Sequence, residues 1–336
     1  MQDRQTLLEI KDLVTSFASD GRKDRAIAVN GVDIDIPRGA IVGLVGESGC
    51  GKSVTALSTL GLLPENGRVD AGSAMFGGQD LLKLKDHELR RIRGNRISMI
   101  FQEPMTSLNP IMTIGRQVSE SIMLHGGVDK ATARARAIEM LEKVGIPEAK
   151  RRYDSYPHEL SGGLRQRVLI GMAMVMQPDL LIADEPTTAL DVSIEAQILR
   201  LMRDLQRESG TSILLITHNL GVVAELCDSV CVMYAGEVVE RADVFTLFRG
   251  CAHPYTRGLM AALPRMAMKG QRLYNIPGSV PNLWSMPAGC RFSPRCEYAK
   301  ERCRQEKPAL VDLGDGHLCR CLFPLDDVPQ HEGDNP

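Results

Sequence analysis

The 336 residues exceed one average domain but fall short of two enzymatic ones, and 43% hydrophobic with 24% charged residues describes a globular chain with a sizeable core, not a disordered one. Lys and Arg total 40 against 42 Asp and Glu, which argues against a broad nucleic-acid-binding face; no apolar run nears the roughly 20 residues of a bilayer span, and the start MQDRQTLLEI lacks a secretory pattern, so a cytoplasmic chain is expected. Nine cysteines in that compartment argue against a disulfide framework and leave burial or metal binding to account for them.

From the start, short β-type runs, Leu7 to Ile10, Ala26 to Val29 and Val32 to Ile36, alternate with turns holding Gly21, Gly31, Pro37 and Gly39, which predicts an antiparallel sheet. From Ile41 the pattern changes to nearly continuous apolar strands followed by glycine-rich turns and helices: IVGLV, SMIF at 98–101, LLIA at 180–183 and SILLI at 212–216. Strands of that kind fit a parallel sheet covered on both faces. Residues 105–178 read as mostly helical, with Ile138, Leu141 and Val144 at helical spacing after the polar stretch Asp129 to Arg134. SVCVMYAGEVVE predicts a hairpin turning at Ala235 and Gly236. Beyond Gly250 the composition shifts to prolines and cysteines, which predicts a separate small unit.

Gly46-Glu47-Ser48-Gly49-Cys50-Gly51-Lys52-Ser53 lies between an apolar strand and a predicted helix, and it matches the phosphate-loop pattern. Glycines there let successive N–H groups converge on phosphate oxygens at a helix N-terminus, Lys52 reaches the β and γ phosphates, and Ser53 ligates Mg²⁺. Cys50 reads as a small loop filler, although a helix N-terminus is expected to lower its thiol pKa. LLIADEP ends in Asp184 and Glu185, one carboxylate to hold the Mg²⁺ shell and one to polarise a water, as phosphoryl transfer requires. Leu160-Ser161-Gly162-Gly163-Leu164-Arg165-Gln166-Arg167 opens a helix with a serine cap.

Together the three motifs resemble those of the ATP-binding cassette proteins, over roughly residues 5–250. The resemblance implies a P-loop ABC ATPase cassette of α/β class: a parallel-sheet core, an antiparallel β subdomain and a helical subdomain. It assigns Gln102 to the loop glutamine that senses Mg²⁺ and nucleotide, with Ser53 and Asp184 as further Mg²⁺ residues. His218 is then the switch histidine at the γ phosphate, and Asp191 the loop residue linking two sites across a dimer. Phe17 is the candidate for stacking on adenine. Ser161, Gly162 and Gly163 would complete the site of a partner chain, and Glu185 would promote attack of water.

HPYTRGLMAALP at 253–264, IPGSVPNL at 276–283 and a cysteine series resemble the C-terminal region of ATPases from the oligopeptide, dipeptide and nickel importer group; QEPMTSLNP at 102–110 looks like the same group, and the whole chain looks most like dipeptide importer ATPases. Cys290, Cys296 and Cys303, followed by Cys319 and Cys321, are clustered densely enough to suggest a metal site, and their spacing leaves zinc and iron–sulfur open. The resembled group is associated with a [4Fe–4S] cluster, and Cys321-Leu322-Phe323-Pro324 fits its last ligand, which implies Cys290, Cys296, Cys303 and Cys321 as ligands. Cys319 is then spare and His317 an alternative. The resemblance also implies a small cysteine-rich C-terminal domain at 251–326, a related second ATPase as heterodimer partner, two membrane permeases and an extracytoplasmic peptide-binding protein. The chain would sit peripherally at the cytoplasmic face of the membrane, touching it through the permeases and binding no nucleic acid. Peptide is the expected cargo, with nickel import or a soluble role in DNA repair, translation or cluster assembly as alternatives.

Overall fold

A computed structural model describes residues 5–19, 21–102, 107–188, 190–263 and 274–325. In chain order come β1 (Thr6–Phe17), β2 (Ala26–Pro37), β3 (Ile41–Val45), α1 (Lys52–Leu60), β4 (Gly67–Phe76), β5 (Gln79–Asp80), α2 (Asp86–Ile92) and β6 (Ile97–Ile100). Helices α3 (Ile114–Gly126), α4 (Lys130–Lys143), α5 (Ala149–Arg152) and α6 (Gly162–Met174) follow, then β7 (Leu180–Asp184), α7 (Val192–Ser209), β8 (Ser212–Thr217), α8 (Leu220–Leu226), β9 (Ser229–Tyr234) and β10 (Glu237–Asp243). The chain continues through α9 (Val244–Arg249), α10 (Pro254–Ala261), α11 (Glu301–Gln305), β11 (Val311–Asp312) and β12 (Leu318–Cys319).

The early antiparallel sheet is present with four strands in the order β2-β1-β4-β5. Asn30 and Gly31 read as a turn between two short strands, yet β2 runs through them: Gly31 takes φ 61 within the extended chain and Asn30 donates its N–H to the Gly236 carbonyl at 2.8 Å. That hydrogen bond replaces the ladder bond a turn would have consumed.

Two compact units interleave along the sequence, one of residues 1–9, 35–41 and 74–216, the other of 10–34, 42–73 and 217–336. In the first, β6, β7 and β8 form a parallel ladder, Ile97 opposite Leu180 and Leu180 opposite Ser212. Every residue of β7 and β8 is buried, as apolar runs without alternation require. The described part of the expected helical block is α3 to α6, while residues 105 and 106 lie outside the described residues. Leu141 and Val144 are buried beside Ala133 and Ala137, whereas Ile138 is half-buried at the margin of that face. Tyr153 seats its ring over Gly115 and its hydroxyl 2.7 Å from Ser119 Oγ, which locks α3 against the end of α5.

In the second unit β3 pairs in parallel with β9, and β9 returns antiparallel as β10 over Ala235 (φ 46) and Gly236 (φ 87), the expected hairpin. β12 then adds to β10, Glu240 opposite Cys319, and β11 adds to β12. The cysteine-rich segment is therefore not the separate small domain expected after Gly250. Tyr255, Ile276 and Phe292 share one core with Val230, Val232, Tyr234 and Leu247 of the hairpin and α9. A segment this short buries too little apolar surface to form a core alone, so it borrows one.

Candidate functional site

β3 is buried along its whole length and delivers the chain into the phosphate loop of the second unit. Gly51 (φ 105) precedes α1, and a Cβ there would lie 2.9 Å from the Ala28 carbonyl oxygen, so glycine is what allows the loop to pass β2 this closely. The first turn of α1 has N–H groups without partners inside the helix, at its positive end. Lys52 is 5% exposed and donates from Nζ to the carbonyls of Gly46 at 2.8 Å and Glu47 at 3.1 Å. Ser48 and Gly49 are exposed and Ser53 is half-buried. Cys50 departs from expectation: burial raises its thiol pKa above the ordinary value although Lys52 stands beside it, because lost solvation outweighs the helix end. Phe17 is half-buried at the end of β1, its ring packed so that a Cβ on Gly67 would lie 2.8 Å away. His218 is exposed just beyond β8.

In the first unit β7 ends in Asp184, 3% exposed, and Glu185 follows with a left-handed backbone, φ 47. A non-glycine residue there costs about 1 kcal/mol. The turn is held by the Glu185 N–H donating to the Ile216 carbonyl at 2.9 Å. It aims the carboxylate so that Oε2 accepts from Thr188 Oγ1 at 2.9 Å and from Gln102 Nε2 at 3.3 Å. Gln102 and Glu185 are thus brought together across 83 residues of sequence. Thr188 was missed, since a threonine three residues past the carboxylate reads as an ordinary turn residue.

Ser161 caps α6, its Oγ accepting from the Leu164 N–H at 3.4 Å. Gly162 has open space over it, and Gly163 lies against α7, where a Cβ would meet Ile194 Cγ2 at 3.0 Å. Asp191 caps α7 by accepting from the Ile194 N–H at 3.0 Å and from Ser193 Oγ at 2.6 Å, and the serine bond holds its carboxyl below the usual range. Ser161, Gly162 and Asp191 are exposed. The serine–glycine turn and the aspartate cap therefore meet through Ile194 on one accessible surface.

Cys290, Cys296, Cys303 and Cys321 line a single narrow cavity, closed by His253, Phe292, Tyr298 and Phe323. Burial, with a smaller contribution from the neighbouring cysteines, pushes the Cys296 and Cys321 thiols up to about 11. Cys319 is fully buried on β12, opposite Glu240. His317 Nε2 lies 2.8 Å from Glu240 Oε1, engaged away from the cavity. Among the described residues, no three His, Cys, Asp or Glu side chains stand where one metal ion would take them together. The expected [4Fe–4S] cluster, its zinc alternative and the metal-binding expectation accordingly find no support among the described residues.

Residues 29–188 match the ABC transporter family, and residues 239–303 match the oligopeptide/dipeptide transporter C-terminal region. The dipeptide transport ATP-binding protein DppD of Escherichia coli is 48% identical over 322 residues, 96% of this chain and 98% of its own length. The chain belongs to the ABC transporter ATPases. The oligopeptide transport ATP-binding protein OppD of Haemophilus influenzae is 51% identical to this ABC ATPase over 316 residues, 94% of this chain and 96% of its own. Among solved structures, the ATP-binding cassette MJ0796, dimeric and bound to ADP and phosphate, overlays with a TM-score of 0.63 at 27% identity, covering 70% of this chain and 98% of that one. The cassette fold of this ABC ATPase, a mixed sheet with helices, is the one anticipated, and it carries hydrolysis of ATP coupled to transport. Tyr255 and Arg295 of this ABC ATPase, not among the residues expected from the sequence, reach Glu47 of the phosphate loop at 2.9 Å and 2.6 Å. Their one sequence signal was position: Tyr255 inside HPYT and Arg295 inside the cysteine series.

Proposed function

We propose that this ABC ATPase energises uptake of dipeptides or oligopeptides. The observation that carries the reading is the match of residues 239–303 to the oligopeptide/dipeptide transporter C-terminal region, on a chain that aligns almost end to end with DppD and OppD. A cassette over 5–250 supplies the ATPase and an extension over 251–326 the group-specific part. It would work as a peripheral subunit at the cytoplasmic face, paired with a related ATPase beneath two permeases served by an extracytoplasmic peptide-binding protein. Among the described residues no helix is long and apolar enough to cross a membrane, which fits a division of labour with separate permeases.

In this reading Gly46 to Ser53 cradle the phosphates through backbone N–H groups, and Lys52 exchanges the carbonyls of Gly46 and Glu47 for phosphate oxygens. Phe17 stacks on adenine. Ser53, Gln102 and Asp184 are oxygen donors of the kind that would hold a magnesium ion, which would supply charge neutralisation at the phosphates. Glu185, steadied by Gln102 and Thr188, accepts a proton from the attacking water, and His218 contacts the γ phosphate. Ser161, Gly162 and Asp191, which are exposed, and Gly163 beside them serve the partner chain's nucleotide.

Cys290, Cys296, Cys303 and Cys321 are soft donors around one cavity, the donor type an iron–sulfur cluster takes. A [4Fe–4S] cluster would cross-link the extension and stiffen it. Cells carrying the native chain or Lys52→Ala test the cargo reading through uptake of labelled dipeptide, pentapeptide and nickel. Peptide uptake that depends on Lys52 is expected; uptake of nickel alone, or of none of the three, overturns it.

A further inference from the structure

Cys290 and Cys296 line the cavity, and the two arginines between them, Arg291 and Arg295, bind groups outside it. Phe292, 4% exposed, is the pivot: its ring packs against Tyr234, Tyr255 and His253 with centroids at 5.1, 5.4 and 5.8 Å. On one side Arg291 donates to the Ala235 carbonyl and pairs with Glu237 at 3.1 Å. On the other, Arg295, its side chain 5% exposed, grips the Glu47 carboxylate with NH1 at 2.6 Å and NH2 at 3.0 Å. The Arg295 guanidinium is itself fixed by the Pro277 carbonyl at 2.8 Å and the Ile276 carbonyl at 3.3 Å. Tyr255 Oη accepts the Glu47 N–H at 2.9 Å, and the hairpin returns a third contact, the Gly236 N–H donating to the Cys50 carbonyl at 2.8 Å.

Glu47 is a carboxylate inside a loop shaped to receive a polyanion. Left alone it would repel the ligand and, when solvated, pull the rising limb of the loop outward. A bidentate arginine with little solvent around it cancels the charge and fixes the direction of the limb at once. Breaking such a pair from one side leaves the half-buried Glu47 carboxylate uncompensated, so the effect of losing Arg295 exceeds that of a fully exposed ion pair.

We propose that Arg295, backed by Tyr255, is a positioning residue for ATP binding: it neutralises and aims Glu47 of the phosphate loop. The proposal rests on the reading of that loop as the nucleotide site. Arg295 touches Glu47 and no phosphate-facing group, so its loss raises KM for ATP while leaving the chemical step at saturation largely intact.

The measurement is titration of the full-length protein with a fluorescent ATP analogue, alongside KM and kcat. Arg295→Met should weaken binding roughly ten-fold with kcat within about two-fold of native, and Arg295→Lys should recover part of the loss. Glu47→Gln combined with Arg295→Met should bind no more weakly than Arg295→Met alone, since the carboxylate that suffers from losing the arginine is gone. Arg320→Met is the control: it releases the extension from the Val238 carbonyl, 2.9 Å from Nε, without touching the phosphate loop. It should lower the melting temperature and leave affinity within about two-fold. Should Arg295→Met fail to fold, Arg295→Lys and Tyr255→Phe carry the test, each expected to weaken binding. Native affinity in the Arg295 variants, an additive double variant, or an Arg320→Met loss as large as that of Arg295→Met overturns the proposal. Absence of binding by the native chain overturns the nucleotide reading, and this proposal with it.

Discussion

The phosphate loop and the cysteine cavity belong to the same compact unit and are built in opposite ways. The loop is eight consecutive residues whose backbone carries the recognition, shaped by glycines at φ 156, 77 and 105. The cavity takes its walls from residues 253–254, 290–303 and 321–323, and side chains alone give it its chemistry. A contiguous backbone motif brings its geometry with it, whereas a dispersed side-chain set acquires geometry only once the chain between its members has folded. Damage to the first should therefore abolish function in an intact fold, and damage to the second should act through the fold.

The sharpest way to break that distinction uses the other contiguous motif, LLIADEP. Glu185→Gln keeps size and the hydrogen bonds to Gln102 and Thr188 while removing the proton acceptor. ATP turnover should fall at least about a hundred-fold with the melting temperature and nucleotide affinity near native, the scale seen when one transition-state group is lost. Normal turnover would reject Glu185 as the water-activating carboxylate. Replacing Cys290 and Cys296 by Ser should do the reverse. Bound iron, read by chemical assay of protein purified without oxygen, should disappear, and the melting temperature should drop because the extension loses its cross-link. Iron content equal to the native chain would remove those cysteines from any cluster site.

Legibility in the sequence followed the same division. Fully buried strands such as β7 and β8 were plain because their burial leaves no alternation to misread, and the Ala235–Gly236 turn was plain because Gly236 takes a positive φ without strain between two apolar runs, although Ala235 beside it does not. Gly31 misled, since a glycine that permits a positive φ inside a strand looks the same as one that ends it. The phosphate loop, Asp184 with Glu185, and the serine–glycine turn were found as letters at fixed spacing. What stayed hidden was every contact made by tertiary folding: Thr188 and Gln102 on Glu185, Arg295 and Tyr255 on Glu47, and the seating of β12 on β10. Cys50 was misjudged because proximity to a helix N-terminus can be read from sequence while burial cannot.

The smallest effect concerns the wall of the cavity and separates folding from chemistry by pH. His253 is 1% exposed, its Nδ1 accepts the Tyr255 N–H at 3.0 Å, and burial pushes its pKa down from 6.5 to about 4 despite the nearby Glu240 carboxylate. Between those values the unfolded chain binds a proton that the native chain refuses, so stability must fall as pH drops through the window, by about 1 kcal/mol per pH unit from this group. Below about 4 both states are protonated and its contribution levels off. Aspartates with depressed pKa values, such as Asp70, Asp80 and Asp243, release their stabilisation below the ordinary carboxylate value of 3.8, beneath this window. His253→Asn keeps an acceptor for the Tyr255 N–H and has no charge to gain, so urea midpoints measured from pH 6.5 to 4 should slope less in the variant than in the native chain. Equal slopes would mean that the cavity wall takes up a proton without opening, and that the side chains around the thiols are less tightly bound to the fold than their burial implies.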